Sequence, residues 1–431
     1  MKYRNALLAF VLVLAQTIWA NTNTFRPGGT QLEKYTIVYQ ADADANEGVD
    51  RAIALQGMLE ELTGVQNTVK TAGEVKKGPV ISIVKLPEGG TFDYSVNVRN
   101  GKVTIAGGGS WAMNKGAEAF IDYIKNNPKA KSFQLEGTVE GEVLFARPEG
   151  VNLRILDDNV WQYSLDTIPP AWQQAGLDCR DSVRVPQFVQ IVRAYMPDVL
   201  VLQEYCEIMN NMFFPQIKKF GYRNACKKNK KGDWNNTPVF YNSDSLKLLH
   251  VNYNLYTPEM WSNHGSKSFT SAVFRQKSTG KVFAIINTHL WWKGDHVKPG
   301  STYARAAQVN LMLAEAEIIK SKYDCPIFIT GDMNCEEKSM PMQVFINSGC
   351  VPCYKAATVY GNRDNGHHVC GPTGAGIRKS NRKGPDRETG AIDHCFIMNS
   401  KDAEIKVFDC LQEYFMVLLT DHYPNLIEVA L

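Results

Sequence analysis

Before residue 150 the chain has no cysteine; all ten lie between Cys179 and Cys410. That excludes a disulfide framework from the first third of the sequence and sets it apart from the rest. Charge of one sign is scarce as well. The 47 Lys and Arg against 44 Asp and Glu leave a net +3 at pH 7, so no strong global field argues for nucleic acid or a membrane surface. After residue 20 no apolar run approaches bilayer-spanning length, which argues against an integral membrane protein. Repeats and low-complexity tracts are missing. No second C-x-x-C partners Cys350–Cys353, so disulfides or inert thiols are expected there in preference to a zinc site.

The long apolar run that does occur, Ala6–Ala15, follows Lys2 and Arg4 and precedes the small residue Ala20. This is the pattern of a secretory signal over residues 1–20, and the mature chain is expected to be secreted or periplasmic. The even cysteine count agrees with export and predicts disulfides of unspecified pairing. Asn235-Asn236-Thr237 is a glycosylation sequon.

A length of 431 residues suggests two domains, with a boundary near residue 145, where Pro148 and Gly150 punctuate the chain. Residues 21–145 read as a small α/β accessory domain. Lys34–Gln40 and Val80–Lys85 read as strands, and two alternating runs about Asn100-Gly101 read as a hairpin. Leu55, Met58, Leu59 and Leu62 give one helix its apolar face, and Ala117, Phe120, Ile121 and Ile124 another. Asp42 and Asp44 read as a solvated cap of the first. This order resembles the small α/β domain that precedes the catalytic barrel of exported hexosaminidases and related glycoside hydrolases.

Residues 150–431 hold many short strands and few helices, which predicts two packed sheets with helices outside. Phe188, Ile191, Val192 and Tyr195 face the core from one helix; Ala307, Leu311, Leu313, Ala314 and Ile318 are expected to do so from a longer one. Polar residues recur where strands end: Asn159, Glu204, Asn287 and His289, Asp332 and Asn334, Asp393, then Asp421 and His422. Taken singly each has an ordinary reading, since Gly-Asp-x-Asn dominates turns for backbone reasons and a strand-end Glu is usually solvated. Their joint order is harder to ascribe to chance. Asp332 and Asn334 flank Met333 in what reads as an extended segment, which would send both side chains off one face.

In order and spacing, "LQE", "NTHL", "GDMN", "ID" and "TDH-x-P" resemble the signatures of the endonuclease/exonuclease/phosphatase superfamily, with Thr420 where a Ser is usual and Asp157-Asp158 before Asn159 where an aromatic is usual. The resemblance implies an α/β (α+β) fold: a four-layer α/β/β/α sandwich behind a small α/β domain. It implies a hydrolase of phosphate esters that uses Mg²⁺ or Mn²⁺, a hard cation suited to carboxylate ligands. It implies Glu204 as the principal metal ligand, with Asn159 and Asp421 beside it, and leaves Asp157 or Asp158 as further acids. Asp332 would orient or deprotonate water and Asn334 would bond phosphoryl oxygens. His422, oriented by Asp393, would touch the phosphate, and His289 would stabilise or protonate the leaving-group side.

Other positions keep two readings. Arg305, with Gln308 three residues on, either reaches a substrate phosphate or starts a solvent-facing helix. Trp291 and Trp292 either form a stacking wall or pack in the core. The basic runs Lys227–Lys231 and Arg378–Arg387 either meet substrate or are solvated, and His367-His368 read as loop. Asn210–Ile217 reads as a helix against the core in preference to a lipid-binding loop. The leading expectation is an exported phosphodiesterase acting on nucleic acid, of unspecified oligomeric state with a monomer as the default. A sphingomyelinase-like lipid phosphodiesterase and a sugar- or inositol-phosphate phosphatase are the alternatives. A catalytically silent binding module would have lost one of Glu204, Asp332, Asp393 or His422, and all are present.

Overall fold

The computed structural model describes residues 25–40, 47–86, 92–139, 145–161, 180–229, 231–257, 261, 267–361, 372–373, 376–377, 390–411 and 419–431. The leader, Asp42, Asp44, Cys179, His367-His368, Cys370 and the Arg378–Arg387 run lie outside them. The chain divides into two compact units, one of residues 1–143 with 219–221 and one of 144–218 with 222–431.

Among its described residues the first unit has one six-stranded sheet and two α-helices: β1 (Thr36–Tyr39), α1 (Glu47–Thr63), β2 (Val69–Thr71), β3 (Val80–Lys85), β4 (Asp93–Arg99), β5 (Lys102–Gly107), α2 (Ser110–Asn126) and β6 (Ser132–Thr138), in the order β2-β1-β3-β5-β4-β6. Asn100 and Gly101 both take positive φ, 51° and 69°, as a tight hairpin turn requires. Leu55 and Leu59 of α1 and Phe120, Ile121 and Ile124 of α2 bury against Ile37, Ile81, Val103 and Ile105, the faces expected from their spacing.

The second unit runs β7 (Leu153–Asn159), α3 (Asp181–Tyr195), β8 (Val199–Gln203), α4 (Glu207–Lys218), β9 (Tyr222–Asn224), β10 (Val239–Asn242), β11 (Leu246–Leu255), β12 (Ser268–Gln276), β13 (Val282–His289), α5 (Ser301–Tyr323), β14 (Ile327–Asp332), α6 (Met340–Asn347), β15 (Val351–Pro352), α7 (Cys353–Ala356), β16 (Val359–Tyr360), the short pair β17 (Pro372–Thr373) and β18 (Gly376–Ile377), β19 (Asp393–Met398), β20 (Glu404–Cys410) and β21 (Asn425–Ala430). Two sheets form, β16-β20-β21-β7-β8-β10-β9 and β11-β12-β13-β14-β19-β15.

Strand alternation decides what faces what. Ile155, Val201, Phe283, Ile285, Phe328, Ile397 and Ile427 fill the space between the sheets. The alternate residues Ala284, Ile286, Ile327, Ile329 and Phe396 face outward onto Val309, Met312, Ala316 and Ile319 of α5 and Met342 and Phe345 of α6. On the outside of the first sheet, Phe213 of α4 meets Phe240 of β10 at 6.2 Å, and Arg154 of β7 donates to the Tyr195 carbonyl of α3. The layers are α/β/β/α, as expected.

Three expectations change. The buried face of α5 is Val309, Met312, Leu313, Ala316 and Ile319, while Leu311 and Ile318 are exposed; alanines and large apolar residues cover more than one stripe of this helix, so spacing alone misphased it. Among the described residues no two cysteines are bonded to each other, the Cys353 and Cys395 sulfurs lying 3.1 Å apart. In the sequon, Asn235 is buried and its amide donates to the Cys226 carbonyl and to Thr270 Oγ1, which leaves no room for a glycan on the folded chain. No described helix is long and apolar enough to cross a membrane.

Candidate active site

The alternation that sends Phe328 between the sheets also sends Thr330 and Asp332 there, and likewise Asn287 and His289 from β13, Asp393 from β19, Asp157 and Asn159 from β7 and Gln203 from β8. Register then brings them to one end: Ser268 pairs with His289, His289 with Asp332, and Asp332 with Asp393, while Asn159 pairs with Gln203 in the other sheet. Hydrophobic filling gives way at this end to a polar layer. Asp157 accepts from Gln203 Nε2 (2.7 Å) and Thr330 Oγ1 (2.6 Å), and Gln203 donates also to Asn287 Oδ1 (2.8 Å). Burial pushes the Asp157 carboxyl up to about 6, with those hydrogen bonds opposing. Asp157 is thus a tie between sheets. Asp158 points to the outer face, where one of its oxygens is buried without a hydrogen bond and burial raises its carboxyl well above the usual range.

Above the polar layer sits the reactive cluster. Asp332 Oδ2 accepts from Asn159 Nδ2 at 2.9 Å and lies 3.3 Å from His289 Nε2, which is 3.8 Å from Glu204 Oε1. His422 Nδ1 meets Asp393 Oδ2 at 2.7 Å, and its Nε2 lies 3.6 Å from Asp421 and 3.9 Å from Asp332. Burial opposes protonation of His422, but the carboxylates of Asp393, Asp421 and Asp332 prevail and raise it well above the usual imidazole range. Burial pulls the Asp393 carboxyl up, and the His422 imidazole facing it opposes that rise.

Glycine at 331 has a steric cause. With φ at 133°, a Cβ there would meet the Thr288 carbonyl oxygen at 2.0 Å, so only glycine lets β14 lie against β13 at the cluster. Glu204 (φ 56°) and Asn334 (φ 51°) both take left-handed backbone, uncommon for side-chain-bearing residues and concentrated at functional sites. The expected extended segment through Met333 is therefore replaced by a turn: β14 ends at Asp332, whose carboxylate accepts the Asn334 backbone N–H at 2.9 Å. Asn334 stays at the cluster's edge, its amide donating to the Leu290 carbonyl. Asn159 also differs from its expected part. Its oxygen accepts the Trp161 N–H and its amide addresses Asp332, so it orients a carboxylate.

Trp291 and Arg305 do not line the cluster as substrate contacts. Trp291 is 2% exposed, with its N–H on Gln308 Oε1 and its indole on Ser301 Oγ. Arg305 is buried and donates to the carbonyls of Trp291 and Lys293. The Arg-x-x-Gln of α5 thus fixes the loop that leaves His289. Trp292 is 59% exposed.

Lys267 was not singled out from sequence. It precedes β12, is buried, and its ammonium contacts His289 Nε2. Burial and this ammonium pull His289 down to about 4, against Asp332 and Glu204. A neutral imidazole is a poor general acid, so the stabilising half of the expected role suits His289 better than protonation of a leaving group. Arg184 was missed too: from α3 it donates to the Val160, Trp161 and Leu419 carbonyls and to Asp181, and Thr420 Oγ1 reaches the Asn159 carbonyl. Those contacts lock together the segments that follow Asn159 and precede Asp421.

Donor chemistry fits a hard divalent cation. Ligand atoms of Glu204, His289 and Asp332 all lie within 4.8 Å of one another. The Glu204 and Asp421 carboxylates remain 30% and 31% exposed, open to waters and substrate oxygens.

No family model and no curated protein matches the chain. Solved structures do. A mannosyl-6-phosphatase from Bacteroides thetaiotaomicron superposes with a TM-score of 0.50 at 16% identity, over 65% of this chain and 100% of that one. An endonuclease/exonuclease/phosphatase from Bacteroides vulgatus gives 0.49 at 20% identity, over 64% and 98%. The human Nocturnin catalytic domain gives 0.46 at 17%, over 66% and 96%. Over 65% of its length this chain shares the fold of that mannosyl-6-phosphatase.

Proposed function

We propose that the protein is an exported hydrolase of phosphate esters that uses Mg²⁺ or Mn²⁺, with the phosphodiester bonds of nucleic acid as its first candidate substrate. One observation carries this reading: Glu204, His289, Asp332, Asp393 and His422, from strand ends of two sheets, converge within hydrogen-bonding or ion-pair reach. Glu204 and Asp421 would hold the cation, which supplies charge neutralisation at the phosphoryl group when bound. Asp332, aimed by Asn159 and the Asn334 N–H, orients the attacking water and takes its proton. His422, kept cationic by Asp393, binds a phosphoryl oxygen from the other side. Asn334 presents its amide at the rim, and neutral His289 offers dipolar stabilisation.

A sugar-phosphate monoesterase is the second reading, favoured by the fold match to the mannosyl-6-phosphatase. A panel of single- and double-stranded DNA, RNA, sphingomyelin, inositol phosphates and mannose 6-phosphate, run with Mg²⁺ and with EDTA, tests both. Asp332→Ala is the blank. Hydrolysis that survives chelation, or that the blank retains, would refute the assignment.

A further inference from the structure

A buried ammonium is expensive to desolvate unless something compensates. Lys267 is buried at the same strand-end row as His289 and contacts its Nε2, and that nitrogen lies 3.3 Å from Asp332 and 3.8 Å from Glu204. Ser268, the next residue, pairs directly with His289, so Lys267 stands at the entrance to β12, one residue before that pairing, and its ammonium reaches His289 from there. On the opposite side of Asp332 stands the other cation, His422. Glu204 and Asp332 offset part of the cost of burying this ammonium, and a carboxylate cluster flanked by two cations is suited to an anion with several oxygens.

We propose that Lys267 is a catalytic residue that binds a non-bridging phosphoryl oxygen of the substrate, opposite His422, as the site's second protein-borne cation. This rests on the phosphoesterase reading and adds to it a group that accounts for preference toward phosphoryl substrates. No proton leaves the ammonium. It shifts from His289 Nε2 toward the phosphoryl oxygen, where developing negative charge in the transition state strengthens the contact.

The test pairs two measurements on full-length Lys267→Met, Lys267→Gln and Lys267→Arg proteins whose melting temperatures are recorded first. In the first, inorganic phosphate is titrated calorimetrically into the metal-free proteins. The Met and Gln variants should bind about tenfold or more weakly than wild type, with Arg between. In the second, kcat/KM with Mg²⁺ should fall about 10²–10³-fold for Met and Gln and recover in part for Arg. If Lys267 merely balances Glu204 and Asp332 until a cation arrives, the Met variant will bind Mg²⁺ more tightly, keep kcat/KM within about threefold of wild type and bind phosphate unchanged; that result overturns the proposal and leaves the phosphoesterase reading standing. A wild-type enzyme inactive on every substrate would remove that reading, and the phosphate titration would still decide the role of Lys267.

Discussion

Arg184→Met should separate stability from geometry in this fold. Arg184 is buried, and its guanidinium donates to the carbonyls of Leu419 (2.7 Å), Val160 (2.9 Å) and Trp161 (3.0 Å) and to the buried carboxylate of Asp181 (2.6 Å). Methionine preserves much of the apolar stem but strips a charged donor from three carbonyls and leaves Asp181 without its ion pair. Breaking a buried pair from one side costs about 3–5 kcal/mol. At about 2–4 °C per kcal/mol for a large domain, the melting temperature of the second unit drops by about 6–20 °C, read by calorimetry.

Activity measured well below that melting point should fall as well, by about 10-fold or more. The loosened segments carry Asn159 on one side and Asp421-His422 on the other, and small displacements of reacting groups are costly. Added guanidinium at non-denaturing concentration should restore part of kcat to Arg184→Gly by refilling the vacated site, an effect that a general loss of stability cannot mimic. A variant that melts within about 2 °C of wild type, less than about 1 kcal/mol, would show that the clamp contributes little and that the two segments are held by something else.

Gly331→Ala places a methyl at 2.0 Å from the Thr288 carbonyl; the strands must part, and a loss of about 4 kcal/mol or more is expected in denaturant melts. Asp393→Asn removes the leading carboxylate that holds His422 cationic. The imidazole pKa then falls, so the basic limb of the pH profile of kcat/KM moves to lower pH while the rate drops about 10²–10⁴-fold; an unmoved limb would contradict the pairing. Trp291→Ala should cost about 3–5 kcal/mol in melts with KM little changed in the surviving folded fraction, whereas Trp292→Ala should shift stability by under about 0.5 kcal/mol.

Much of the site was legible because a strand's period of two is rigid. Once Phe328 is known to face inward, Thr330 and Asp332 must do the same, and the parity of Phe283 and Ile285 settles Asn287 and His289. What failed to show was whatever depends on where the strand stops. Asn334 looked like the next inward residue after Asp332, but a left-handed turn intervenes. Trp291 and Trp292 are neighbours on an irregular segment, where no period applies; Gln308 and Ser301, far along the chain, determine which of them is buried. A single lysine before a strand, such as Lys267, has the signature of a solvated residue, because its neighbours Glu204, His289 and Asp332 come from other strands. Arg184 lies on α3 among faces already assigned to packing, and its partners are carbonyls, which carry no side-chain signal at all.

The polar layer below the cluster bears on why the chemistry can be precise. Asp157, Gln203, Asn287 and Thr330 occupy inward positions that elsewhere hold Ile, Val and Phe. Apolar contacts are non-directional and would let two sheets slide by fractions of an ångström at little cost. Hydrogen bonds are directional, and the Asp157–Thr330 bond joins β7 of one sheet to β14 of the other. Glu204 follows β8 in the first sheet and Asp332 ends β14 in the second, so their separation is set by how the sheets sit on one another. Burying Asp157 carries a penalty, visible in the upward shift of its carboxyl, and an apolar layer would pack without it. The penalty is borne two residues below the reacting groups on β7 and β14, where fixing the register of one sheet against the other also fixes the geometry of the site.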